Sequence, residues 1–217
     1  EREDQAITFL DRASTGESAS QEAAVLLEGV HTRRGDWSRV VESVLRQART
    51  AEAGDAAALY LRAARTRRDA LHDRKGAAEI YDQVLQADPK NPEALQVRGD
   101  HLFESGAMEE AAEVYQRLDD VEQELDLDDF DVQMERALFF FRFGECLRKL
   151  DRNEEALDRY QDALALNKSH LPTLEAIGPL YIELMLWDKA ADVFKHILQL
   201  TSGRGDNARL ARVYTNL

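Results

Sequence analysis

Ala77-Ala78-Glu79-Ile80-Tyr81, Ala111-Ala112-Glu113-Val114-Tyr115, Ala156-Leu157-Asp158-Arg159-Tyr160 and Ala190-Ala191-Asp192-Val193-Phe194 are four versions of one pattern, with their rings 34, 45 and 34 residues apart. In each, a small residue stands four positions before an aromatic one. On a helix that spacing puts both on one face, where alanine lets a neighbouring backbone approach and the ring fills the space beside it. Gly99, Gly144 and Gly178 each precede a ring by sixteen residues, which places them inside a preceding helix. Glycine there costs roughly 1 kcal/mol against alanine, so close helix crossing is expected at all three. The register continues upstream: Val44 lies 37 residues before Tyr81, and Leu10, with Ala6 four before it, lies 34 before Val44. The pattern is that of repeated helix pairs.

Composition agrees. The chain has 217 residues, 44% hydrophobic and 32% charged, enough for a well-buried core and without a disorder signature. Of four prolines, Pro89, Pro92 and Pro172 fall at expected helix junctions, whereas Pro179 follows Gly178 inside a predicted helix and implies a kink. No apolar run reaches the length needed to span a bilayer, so no membrane insertion is expected. Its single cysteine, Cys146, excludes an internal disulfide and is expected in the core. A cytoplasmic location follows from that usage.

Charge and motifs narrow the function. A net charge of −14 argues against nucleic acid, whose phosphates need a basic surface, and favours basic partners. Arg62, Arg65, Arg67 and Arg68 crowd one predicted helix. Eight carboxylates fall between Asp119 and Asp131, inside the one interval of 45, where residues have been added to the repeat. Val121, Leu125 and Met134 keep a partly helical spacing there, so longer helices are expected rather than a loop. The five histidines lack zinc-site spacing, and no phosphate loop, nucleophile elbow or dinucleotide fingerprint occurs. Neither an enzyme nor a cofactor is expected.

The rings, alanines and glycines together resemble the tetratricopeptide repeat, a helix-turn-helix unit with small and aromatic residues at fixed offsets. The clearest unit, 92–123, carries Leu95, Gly99, Leu102, Gly106, Ala111, Tyr115 and Leu118 at the family positions. A second, 172–201, carries Leu174, Ile177, Gly178, Tyr181, Ala190, Phe194 and Ile197. The resemblance implies an all-α, right-handed superhelical solenoid of antiparallel helix pairs, with one extended pair around residues 118–136. Its register divides a single segment, 1–217, into the second helix of an incomplete repeat (1–14), a degenerate repeat (21–54), four repeats (58–91, 92–128 with an extension, 129–170, 171–205) and the first helix of an incomplete repeat (206–217). The expectation is a fragment of a longer array, and the Arg-rich, Lys-poor usage resembles that of bacterial arrays.

In that family, ligand contacts come largely from the first helix of each pair, on the concave side. Carried over with Gly99, Gly144 and Gly178 as the eighth helix position, the resemblance implies a partner-binding lining that includes Gln96, Asp100 and Phe103, then Leu138, Phe141, Glu145, Arg148 and Lys149, then Ile182, with Arg62 from the degenerate repeat 58–91. The lysines and asparagines that family members use to grip a terminal carboxylate are absent, so that activity is not expected. Residues 137–143, Ala-Leu-Phe-Phe-Phe-Arg-Phe, are apolar almost all round, more than one buried stripe requires. Phe140 and Phe143 fall at core positions, which aims Leu138 and Phe141 at the groove. The function expected is a scaffold that binds a peptide or amphipathic helix of another protein. The alternatives are a spacer that self-associates end to end through truncated solenoid ends, or the non-catalytic part of a larger protein.

Overall fold

Eleven α-helices follow one another in the computed structural model, which describes residues 2–15, 20–121 and 130–201, and no strand occurs among them. The chain divides by its contacts into two compact units, Glu1–His101 and Leu102–Leu217. In the first, α1 (Arg2–Ala13), α2 (Gln21–Arg34), α3 (Trp37–Thr50), α4 (Ala53–Ala70) and α5 (Arg74–Ala87) pack in chain order, each on the next. Helix α6 (Pro92–Ser105) begins in this unit, and the division falls within it. In the second, α7 (Met108–Val121) packs on α8 (Phe130–Lys149), α8 on α9 (Asn153–Leu166), α9 on α10 (Leu171–Glu183) and α10 on α11 (Trp187–Thr201). Helix α10 also touches α8, so the first helix of one pair stacks on the first helix of the pair before it.

The repeated residues seal these pairs. Ala77, Tyr81 and Val84 on α5, Ala111, Tyr115 and Leu118 on α7, Ala156, Tyr160 and Ala163 on α9, and Ala190, Phe194 and Ile197 on α11 are all buried at the same register places. The glycines are specified by the rings. A Cβ on Gly144 would stand 2.6 Å from the Tyr160 ring, and one on Gly178 2.9 Å from that of Phe194. In these two pairs a spacing of sixteen residues thus marks a ring packed against the glycine of the partner helix. In the two degenerate repeats the same place, sixteen before Val44 and Tyr81, holds Glu28 and Arg65.

Within each pair the chain reverses through one residue in the left-handed region: Gly35, His72, Gly106, Asp151 and Met185, with φ of 69°, 54°, 83°, 59° and 59°. Each lies nine residues before the ring place of its repeat, so the turn keeps the register even where its residue type drifts. Four of the five close alike, the next residue's N–H donating to the carbonyl five positions back: Asp36 to His31, Ala107 to Leu102, Arg152 to Leu147 and Leu186 to Tyr181, at 2.8–3.0 Å. This is the Schellman closure of a helix end. Asp36 and Asp73 then cap the following helices by accepting from the N–H of Arg39 and Gly76.

Three local expectations meet the structure here. Helix α10 runs unbroken through Pro179 from Leu171 to Glu183. Helix α8 has 20 residues, and α7 is helical over 14 residues up to Val121, the last described residue before 130. Most of the acidic run, 122–129, and the last expected helix, 206–217, lie outside the described residues. Cys146 is fully buried, and burial pushes its thiol up to about 12.

Candidate partner-binding faces

The residues expected to line a binding face fall into both units: Arg62, Gln96 and Asp100 in the first, and Phe103, Leu138, Phe141, Glu145, Arg148, Lys149 and Ile182 in the second. In the second unit α8 sorts its apolar run by direction. Phe139, Phe140 and Phe143 are buried, and the first and last pack around Tyr115 with ring centroids 5.5 and 6.0 Å away. Leu138 remains 38% exposed. Phe141 is half-buried, its ring 5.5 Å from His170 edge-on and 6.3 Å from Tyr160. Burial holds the His170 imidazole below its usual pKa, which keeps this ring contact uncharged.

Further along α8 the polar groups form a chain. The Tyr160 hydroxyl donates to the Glu145 carboxylate, and burial followed by that bond raises the phenol's pKa well above its ordinary value. Arg148 reaches across to Glu183 of α10 at 3.4 Å, and Lys149 is exposed at the helix end. Ile182 is half-buried on α10, and Phe103 lies half-buried with the Arg142 guanidinium 5.9 Å from its ring centre. The structure therefore brings the α8 residues into reach of α10, and it engages Arg148 within the chain.

In the first unit the four crowded arginines of α4 are all paired. Arg62 bonds Glu28 of α2 at 2.9 Å, and Glu28 also accepts from Gln47 of α3 at 2.7 Å. Arg67 bonds Asp73 at 2.8 Å beside Gly76, where a Cβ would collide with its guanidinium. Arg65 and Arg68 both reach Glu93, which also accepts from the Tyr81 hydroxyl at 2.7 Å. Burial would raise the Glu93 pKa, but the bonds from Arg65 and Tyr81 outweigh it and leave the carboxyl below its ordinary value. Gln96 and Asp100 lie half-buried on α6. The participation of the tyrosine hydroxyls was not foreseen, because a ring fixed by packing says nothing about its para substituent.

A second network lies beside the lengthened helix. Asp119 at the end of α7 accepts from Arg136 of α8 at 3.3 Å and from Arg159 of α9 at 2.9 Å, and both cations lie over the Phe140 ring, 5.0 and 5.7 Å from its centre. Spacing could have revealed part of this pairing: Asp11–Arg46, Glu28–Arg62 and Arg148–Glu183 join residues 34 or 35 apart, one repeat step. Among the described residues no group of three or more His, Cys, Asp or Glu side chains is placed to hold a metal ion, and no helix is long and apolar enough to cross a membrane.

Stacked antiparallel helix pairs with ring-on-glycine seams define a helical-repeat protein. Residues 70–130 match the tetratricopeptide repeat family model. Solved structures agree over most of its length. A MamA RS-1 double mutant is 16% identical, covering 86% of this chain and 97% of that one with a TM-score of 0.59. MamA AMB-1 is 19% identical, covering 88% and 96% with a TM-score of 0.57. MamA from Desulfovibrio magneticus RS-1 is 15% identical, covering 86% and 97% with a TM-score of 0.55. No curated protein matches the sequence.

Proposed function

We propose that the chain is an interaction scaffold, one repeat segment over residues 1–217, which takes a peptide or amphipathic helix of a partner protein on the first helices of its repeats. The observation that carries this reading is the sorting of α8: three phenylalanines are sealed while Leu138 is exposed and Phe141 half-buried, with the exposed Lys149 at the end of the same helix. Apolar anchors flanked by charge are the usual make-up of a binding hot spot, and the mixed lining suits a segment of alternating character. Chemistry, in this reading, belongs to other proteins or other domains.

The test compares the wild-type chain with Leu138→Ala/Lys149→Ala as immobilised baits. A protein retained by the first and lost by the second, at unchanged melting temperature, is expected. Equal retention by both baits would overturn the α8 face as the site. Self-association is a second reading, favoured by the exposed Phe9 on α1 and Val25 and Leu26 on α2. Sedimentation velocity separates the two, since only self-association makes the sedimentation coefficient of the isolated chain rise with concentration.

A further inference from the structure

We propose that the face of α4 carrying Arg62, Arg65 and Arg68 docks an acidic segment of a partner protein. The three recur every third residue, which sets them in one stripe along the helix. Their side chains are 49%, 54% and 37% exposed, whereas the carboxylates that hold them, Glu28 and Glu93, are 21% and 26% exposed. Over Glu28 and Glu93 the groups nearer solvent are therefore guanidiniums. Asp69, bonded to Arg68, is the outward acid at the end of the stripe. Arg62 commits one nitrogen to Glu28, and Arg65 directs both of its bonds to a single oxygen of Glu93. A guanidinium carries five donors in a planar fork, so an outer edge of Arg62 and of Arg65 remains for a second carboxylate, whereas Arg68 is already held by Asp69, Tyr81 and Glu93.

Arg65 adds a separate observation. It stands sixteen residues before Tyr81, the register place where Gly144 and Gly178 are dictated by their rings. This repeat, like the one before it with Glu28 at that place, departs from the packing rule of the later repeats, and here the residue is an outward cation. Departures of that kind mark functional positions. The occupant presents side-chain carboxylates along its length and needs no free C-terminus, because the lysines and asparagines that would hold one are missing. The inference rests on reading first helices as binding faces, but it concerns the other unit and the opposite chemistry from Leu138, so each can fail alone.

The experiment titrates the 217-residue chain into a short, fluorescein-labelled, C-terminally amidated peptide of alternating glutamate and leucine, read by fluorescence anisotropy. Binding is expected, weakening as salt rises, with an affinity reduced by roughly tenfold or more in Arg62→Gln/Arg65→Gln. The Leu138→Ala/Lys149→Ala chain should bind this peptide as the wild type does. Should the glutamine variant melt early, Arg62→Lys/Arg65→Lys keeps the charge, loses the fork and is expected to bind more weakly at an unchanged melting temperature. Equal affinity for a lysine–leucine peptide, wild-type affinity in a folded glutamine variant, or preference for a single-stranded oligonucleotide would overturn the proposal. Self-association that the glutamate peptide competes away, and that the glutamine variant abolishes, would give the stripe to a second copy of this chain and remove the partner.

Discussion

At single positions, glycine shows how far packing rather than helix preference sets the sequence. Gly144→Ala gains roughly 1 kcal/mol of helix propensity, yet its methyl would arrive 2.6 Å from the Tyr160 ring. Overpacking of that kind costs about 1–3 kcal/mol, so net destabilisation is expected in a thermal melt. Gly29 on α2 is the contrast: the nearest atom to an added Cβ is Arg33 Nη1 at 3.9 Å, and Gly29→Ala should stabilise by about 0.5–1 kcal/mol. A Gly144→Ala protein as stable as wild type would show that the ring does not need the space.

His31 is a buried residue whose Nδ1 finds no hydrogen-bond partner in the structure. Burial lowers its pKa below the ordinary 6.5, opposed by Asp36 and Glu42 and assisted by Arg39 and Arg34. The unfolded chain therefore binds the proton more readily, and folding stability falls as pH drops below about 6.5 until the folded-state pKa is reached. Urea midpoints near neutral and at mildly acidic pH should differ by less in His31→Leu than in wild type. An unchanged difference would clear His31 of the effect.

At the level of elements, the lengthened α8 is held where the repeat was enlarged by Asp119, which serves Arg136 and Arg159 at once. Bonds to charged, largely buried groups are worth about 1.5–3 kcal/mol, so Asp119→Ala should lower stability by that much. Glu155→Ala, which removes an exposed pair with Arg152, should change it by about 0.5 kcal/mol or less. Comparable losses in urea unfolding would mean that burial makes no difference at Asp119. The glycines and rings were legible because they meet directly across a single helix pair, Gly144 on Tyr160 and Gly178 on Phe194. Partner choice among the arginines was not. Arg62 and Arg148 read as outward cations, yet each reaches a carboxylate in an adjacent repeat, Glu28 and Glu183, because stacking brings residues one period apart side by side.

For the whole molecule, periodicity carries the information and residue identity carries less. The left-handed turn nine residues before each ring is glycine twice and otherwise histidine, aspartate and methionine, so its constancy lies in place and would escape a search for glycine. The faces that first helices offer were legible only as positions. Which side chain stays outward depends on whether an ion-pair partner comes within reach, a fact of stacking and not of local pattern.

Cys146, the chain's one sulfhydryl, is sealed inside the second unit with its ionisation suppressed. Only the thiolate reacts with alkylating reagents, so the folded unit is inert and modification waits for an opening event. Tyr160→Ala, a truncation worth about 3–5 kcal/mol, should quicken pulse alkylation of Cys146 strongly, and an unaltered rate would mean that access does not require the unit to open. The protein thus carries its own stopwatch for breathing of that half, readable by mass spectrometry without an added label.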